Sequence, residues 1–173
     1  MSTITPINSD KQKLVVNETL KYLQLAQDIF HHPLEPINIL FDLSGMASGM
    51  FCVKNGSPLI RYNPYIFSKH FAYSLSNTVP HEVAHYILYS IYGLKSVRPH
   101  GKEWKEIMLQ LGAKPNRTNS LNLEGIPNRR QRRHPYRCDC RDHLLSSRRH
   151  NRITHGKARY FCRSCRSVLQ PFA

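Results

Sequence analysis

Apolar positions along the chain follow two rhythms. Between residues 11 and 30, Leu14, Val15, Leu20, Leu23, Leu25, Ile29 and Phe30 stand among polar residues without Gly or Pro, which predicts an amphipathic helix. His31-His32-Pro33 ends it, because the residue before a proline disfavours the α region, and the two histidines read as a solvated connector. Three short apolar stretches follow at 37–43, 49–53 and 59–62, separated by Ser44-Gly45 and Asn55-Gly56. They predict a small antiparallel sheet whose second turn is a hairpin, with Cys52 as a small buried hydrophobe in the middle strand. Asn63-Pro64 closes the sheet, and the aromatic-rich stretch 64–74 predicts a further helix.

Helical spacing returns in Val83, Ala84, Ile87, Leu88 and Ile91, with Asn77 or Thr78 as candidate N-cap, Pro80 in the first turn and Gly93 as the stop. A last amphipathic segment at 100–112 turns Trp104, Ile107, Met108 and Leu111 inward. Residues 113–133 lose this periodicity and end in Arg129-Arg130-Gln131-Arg132-Arg133, which predicts a linker over 116–133 with a basic end.

The third helical stretch contains His81-Glu82-Val83-Ala84-His85, an H-E-x-x-H pattern. Residues four apart on a helix are turned only about 40° from each other, so both imidazoles leave one face and can reach one ion. Glu82 lies about 100° around from His81, at the edge of that face, where its carboxylate can take a proton from water. That arrangement suits zinc-assisted peptide hydrolysis, in which zinc keeps one coordination position open. Candidates for the third ligand are His100, which lies 15 residues past His85, and the carboxylates Glu103 and Glu106.

The 173 residues suit one domain or a domain with an appendage. No run of 18 apolar residues occurs and the start lacks the features of a signal peptide, so a soluble, cytoplasmic protein without a membrane partner is expected. Four of the five cysteines cluster late, as Cys138-Asp139-Cys140 and Cys162-Arg163-Ser164-Cys165. Such pairs can close one tetrahedral Zn²⁺ that serves folding, since a 40-residue segment this poor in apolar residues needs a staple. The first pair is one residue short of the usual knuckle, which leaves His143 open as a substitute ligand. Charge is concentrated in the same region. Residues 129–173 carry thirteen Lys/Arg against Asp139 and Asp142, a net +11, whereas the first 128 carry twelve against nine acids, +3. Arg130, Arg132, Arg133, Arg148, Arg149, Arg152 and Arg163, with Tyr136, Tyr160 and Phe161 among them, therefore predict a surface for DNA, sequence-tolerant and suited to single strands.

His81-Glu82-x-x-His85, then Pro99-His100-Gly101-Lys102-Glu103-Trp104-Lys105, then the two cysteine pairs with Arg148-Arg149-His150-Asn151-Arg152 between them, form a combination that resembles the SprT/Spartan family of zinc metalloprotease-like proteins in its bacterial branch. The resemblance implies zinc on His81, His85 and His100, with Glu82 as general base. It implies an α+β, zincin-like domain of minimal gluzincin type over 1–115 and a zinc ribbon on Cys138, Cys140, Cys162 and Cys165 over 134–173, hence two Zn²⁺ per chain. The expected activity is hydrolysis of protein substrates, including DNA-bound ones. In gluzincin-like proteases a strand beside the metal helix can bind extended substrate, and 49–53 is the candidate here. The rival expectation is a zinc- and nucleic-acid-binding regulatory protein that cuts nothing; a fourth protein ligand closing the histidine site would favour it.

Overall fold

The computed structural model describes residues 4–93, 96–118, 120–128 and 132–172. The chain forms two compact units, Met1–Asn128 and Arg129–Ala173. The first holds helix α1 (Ser9–Phe30), strands β1 (Asn38–Leu40), β2 (Gly49–Lys54) and β3 (Ser57–Tyr62), and helices α2 (Pro64–Lys69), α3 (Phe71–Tyr73), α4 (Val79–Tyr92) and α5 (Lys102–Gln110). No described helix is long and apolar enough to cross a membrane.

Helix α1 starts where Asn8 Oδ1 accepts the Lys11 amide at 3.0 Å and ends at His31, which adopts the left-handed conformation. Val15, Thr19, Leu23 and Ala26 recur at helical spacing and are its buried stripe. Thr19 satisfies its hydroxyl on Val15 O and pairs with the Tyr62 hydroxyl at 3.0 Å, joining α1 to the sheet. His32, expected in a solvated connector, instead pairs with the Ser90 hydroxyl of α4 at 3.0 Å.

The β2–β3 hairpin turns through Asn55 and Gly56, both at positive φ, as an Asn-Gly dipeptide predicts. Cys52 on β2 is half-buried, less enclosed than expected. The sheet is not antiparallel throughout. Its order is β1-β3-β2, and β1 runs parallel to β3. The segment 41–48 carries the chain past β3, so β1 joins the far side and β2 becomes the opposite edge. Asn63 holds that segment: its buried amide donates to Gly45 O and Ala47 O while its Oδ1 caps α2 through the Tyr65 and Ile66 amides.

Neither Asn77 nor Thr78 begins the metal helix by capping it. The chain runs from α3 through a π-helical turn, Ser74–Thr78, directly into α4, and Asn77 instead donates to Tyr73 O. The wider π turn absorbs Pro80, whose missing N–H would leave a gap in a regular ladder. Gly93 ends α4 at φ 75°, donating to Tyr89 O. Val79, Val83, Ile87, Trp104 and Met108 are fully or nearly fully buried where α4 meets α5, α1 and the sheet. Truncating a residue such as Trp104 to alanine removes about 3–5 kcal/mol of packing.

Most of the stretch expected as linker belongs to this first unit. Ile126 is buried, Pro127 O accepts from Gly45, and Lys69 and His70 of the α2 end bond to Glu124 O and Asn122 O. Small apolar anchors spaced among turn residues carry no period, which is why the pattern reads as loop.

The second unit pairs β4 (Arg133–Arg137) with β5 (Asp142–Ser146) and with the short β6 (Gln170–Pro171), and carries helix α6 (Ser147–Thr154). Among the described residues its buried core is Tyr136, Cys138, Leu145, Cys162 and Leu169.

Candidate metal centre

Two elements bring three histidines to one point. His81 and His85 lie one turn apart on α4, and His100 lies in the turn that precedes α5, where Gly101 N donates to Arg98 O at 2.9 Å. The three Nε2 atoms stand 3.1–3.2 Å from one another. Nitrogens at about 2.0–2.1 Å from one tetrahedral ion lie about 3.3 Å apart, so the triangle has the size zinc needs. Three neutral imidazole nitrogens facing inward would otherwise oppose like dipoles, and a cation resolves that conflict. Among the described residues no fourth Cys, His, Asp or Glu atom joins the set. Glu103 and Glu106 stay outside it, Glu106 facing Lys102 on the surface of α5.

Trp104, from the first turn of α5, underlies all three rings, its centroid 4.8 Å from His81, 5.6 Å from His85 and 4.8 Å from His100. Its Nε1 is buried and has no hydrogen-bond partner among the described residues. The Asn116 backbone carbonyl accepts from the His81 ring, which leaves Nε2 as the nitrogen facing the other histidines. Burial and the neighbouring His100 hold His81 down to about 4, against the pull of that carbonyl. Burial and the two other rings hold His85 down to about 3, and burial with the nearby Arg117 guanidinium lowers His100. Each shift favours the neutral ring, the state metal binding requires.

Glu82 points to the edge strand. The Phe51 amide donates to Glu82 Oε2 at 2.8 Å, and only 6% of the residue is exposed. Burial pushes its carboxyl up to about 8, moderated by the Phe51 N–H. A cation at the triad would lower it again. Sequence reasoning missed what makes this placement feasible. A Cβ on Gly49 would stand 2.6 Å from Glu82 Cγ and 2.7 Å from Oε1, so only glycine lets the carboxylate lie against β2. The signal was a glycine at the start of a strand.

The profile of the family described as SprT-like matches residues 19–124, which include α4, α5 and the whole triad. Protein SprT of Klebsiella pneumoniae (strain 342) is 40% identical over 159 residues, 91% of this chain and 92% of that one. Protein SprT of Pasteurella multocida (strain Pm70) is 34% identical over 148 residues, 85% of this chain and 86% of that one. The chain belongs to the SprT-like family. No solved structure matches it.

The second ligand set of this SprT-like chain lies in the second unit. Cys138, Cys140, Cys162 and Cys165 bring four Sγ atoms within 4.8 Å of one another, with Cys138–Cys140 at 3.4 Å and Cys140–Cys162 at 3.7 Å. Sulfurs at about 2.3 Å from one tetrahedral zinc lie about 3.8 Å apart, so the cluster fits. Four thiols complete the set without His143. Its Nε2 instead lies 3.1 Å from Cys138 Sγ, behind the ligand. Backbone N–H groups of Cys165 and Ser164 lower the Cys162 thiol to about 5, favouring the thiolate that binds metal.

Arg132, Arg133, Arg148, Arg149, Arg152 and Arg163 are exposed on the second unit, and Arg130 lies outside the described residues. Helix α6, which sequence reasoning did not anticipate, carries Arg148, Arg149 and Arg152. The Arg149 guanidinium lies over the Tyr160 ring at 5.4 Å, and Phe161 is 58% exposed. Tyr136, expected beside them, is buried with its hydroxyl on His150 Nδ1 and cannot stack on a ligand.

Proposed function

We propose that this chain is a zinc-dependent peptidase acting on proteins at or near DNA. What carries the reading is an incomplete three-histidine set beside a buried carboxylate, at the edge of a cleft. An all-protein structural site would instead be closed by a fourth ligand. His81, His85 and His100 hold the metal, which when bound supplies Lewis acidity toward a peptide carbonyl and an attacking water. Glu82 accepts the proton of that water and returns it to the leaving amine. The Phe51 N–H fixes the carboxylate, and Trp104 fixes the histidine rings. Edge strand β2 offers an extended substrate a place to add as a further strand, the zincin-like mode of binding.

The exposed arginines of the second unit supply phosphate contacts, and Tyr160 and Phe161 supply faces for exposed bases. Four thiolates holding a second zinc stabilise that surface. Binding is then sequence-tolerant and weakens linearly on a log–log plot against salt. The test is to incubate the zinc-loaded chain with a protein crosslinked to DNA, with and without the DNA. Controls are Glu82→Gln and the full-length variant with Arg148, Arg149 and Arg152 changed to Glu. Cleavage that needs Glu82, with DNA affinity lost in the arginine variant, is expected. Zinc-loaded protein that binds DNA and cuts no substrate would establish the regulatory alternative.

A further inference from the structure

Two cavities border the histidine triad, the first at His81 alone and the second at all three rings, and share Gly49, His81, Glu82 and Arg117. The first, of about 300 Å³, carries Asn77, Thr78, Lys114 and Asn116 beside the apolar groups of Met46, Ala47 and Tyr73. Among the described residues neither Lys114 nor Arg117 is in an ion pair, and the one acid at this cavity, Glu82, is held by the Phe51 amide. The second, of about 390 Å³, is walled by Phe51, Leu88, Tyr89, Val97 and Pro99. The first cavity therefore adds the unpaired Lys114 and side-chain amides, the second is mostly apolar, and Arg117 stands at the border of both.

The edge strand gives this asymmetry a direction. Ser48, just before β2, lines the first cavity, Gly49 lines both, and Met50 and Phe51, further along, line the apolar one. A peptide added antiparallel to β2, the more stable pairing, runs the opposite way. Its residues N-terminal to the triad lie over the apolar cavity and those C-terminal to it over the cavity that holds Lys114, with Arg117 at the border between them. We infer that the cleft selects an extended peptide with an apolar or aromatic residue before the cut bond and an acidic residue after it. An acidic side chain neutralises the two cations, while Lys or Arg there would add like charge.

This inference rests on the peptidase reading, so the test separates binding from cutting. Zinc-loaded Glu82→Gln protein is titrated by fluorescence anisotropy with four labelled peptides of one frame, with Leu-Asp, Leu-Lys, Ser-Asp or Asp-Leu at the two central positions. The Leu-Asp peptide is expected to bind at least tenfold more tightly than Leu-Lys, severalfold more tightly than Ser-Asp, and more tightly than Asp-Leu. The Asp-to-Lys ratio should shrink as salt rises and invert in a protein also carrying Lys114→Glu and Arg117→Glu. If that variant does not fold, the salt series alone decides whether the two cations act. Equal affinities, no binding, or tighter binding of Asp-Leu would overturn the inference. If the preference holds but the wild-type chain cuts none of the four, the cleft assignment stands and the peptidase reading falls.

Discussion

The chain builds two metal-ligand sets that differ in every respect that matters to chemistry. The histidine set uses three nitrogens from a helix and a turn, rests on a core that includes Val83, Ile87, Trp104 and Met108, and has a carboxylate and two cavities beside it. The cysteine set uses four sulfurs, has a core of Tyr136, Cys138, Leu145, Cys162 and Leu169, and counts two of its own ligands in that core. A unit that folds on its own apolar core can leave a metal position open, whereas one whose small core includes its ligands needs the metal for folding.

The sharpest break of this comparison is metal removal, with Cys162→Ser as its specific form. Structural zinc in small modules is worth about 10–16 kcal/mol apparent, so the second unit should unfold while the first keeps its structure. Amide NMR spectra resolve the two units separately, and a Cys162→Ser chain with an intact second unit would show that its fold does not depend on the metal. His85→Ala gives the converse: the histidine zinc is lost, read by elemental analysis, with little change in the melting of either unit.

Glu82→Gln comes next. The amide keeps the shape and the metal but cannot take the proton, which should lower hydrolysis by about 10²–10⁴-fold at unchanged zinc content. Wild-type turnover in that variant would remove Glu82 from its role.

Gly49→Ala should act through position alone. The added methyl must displace the Glu82 carboxylate from the Phe51 amide, and a misplacement of about 1 Å can cost about 100-fold in rate. Zinc content should stay whole, and a loss of zinc instead would mean that the glycine supports the histidines. The smallest effect is expected from His143→Ala, which removes a partner of Cys138 Sγ and should weaken zinc in the second unit by about tenfold, measured by chelator competition.

Much of the candidate site was legible before folding was considered. His81, Glu82 and His85 follow from spacing on a helix whose apolar positions announce it, and the resemblance placed His100 with them. Less legible were the partners that orient them. Trp104 read only as a core residue of α5, Asn116 as loop and Gly49 as the start of a strand, because each acts on a residue distant in sequence. Tyr136 was misjudged for a related reason: alternation along a five-residue strand does not say which face the small second core will cover.

The amino-acid sequence by itself determined the local grammar of this protein: the amphipathic helices, the Asn55-Gly56 hairpin, the H-E-x-x-H face and the cysteine spacings, all of which rest on periods of a few residues. Only the tertiary structure decided that β1 lies parallel to β3 and leaves β2 as an edge, that α4 grows out of a π turn without a cap, that residues 116–118 and 120–128 belong to the first unit, and that four sulfurs close without His143. Those outcomes depend on which surfaces meet across long stretches of chain, where burial, close backbone approach and hydrogen-bond satisfaction compete, and no short-range pattern records that competition.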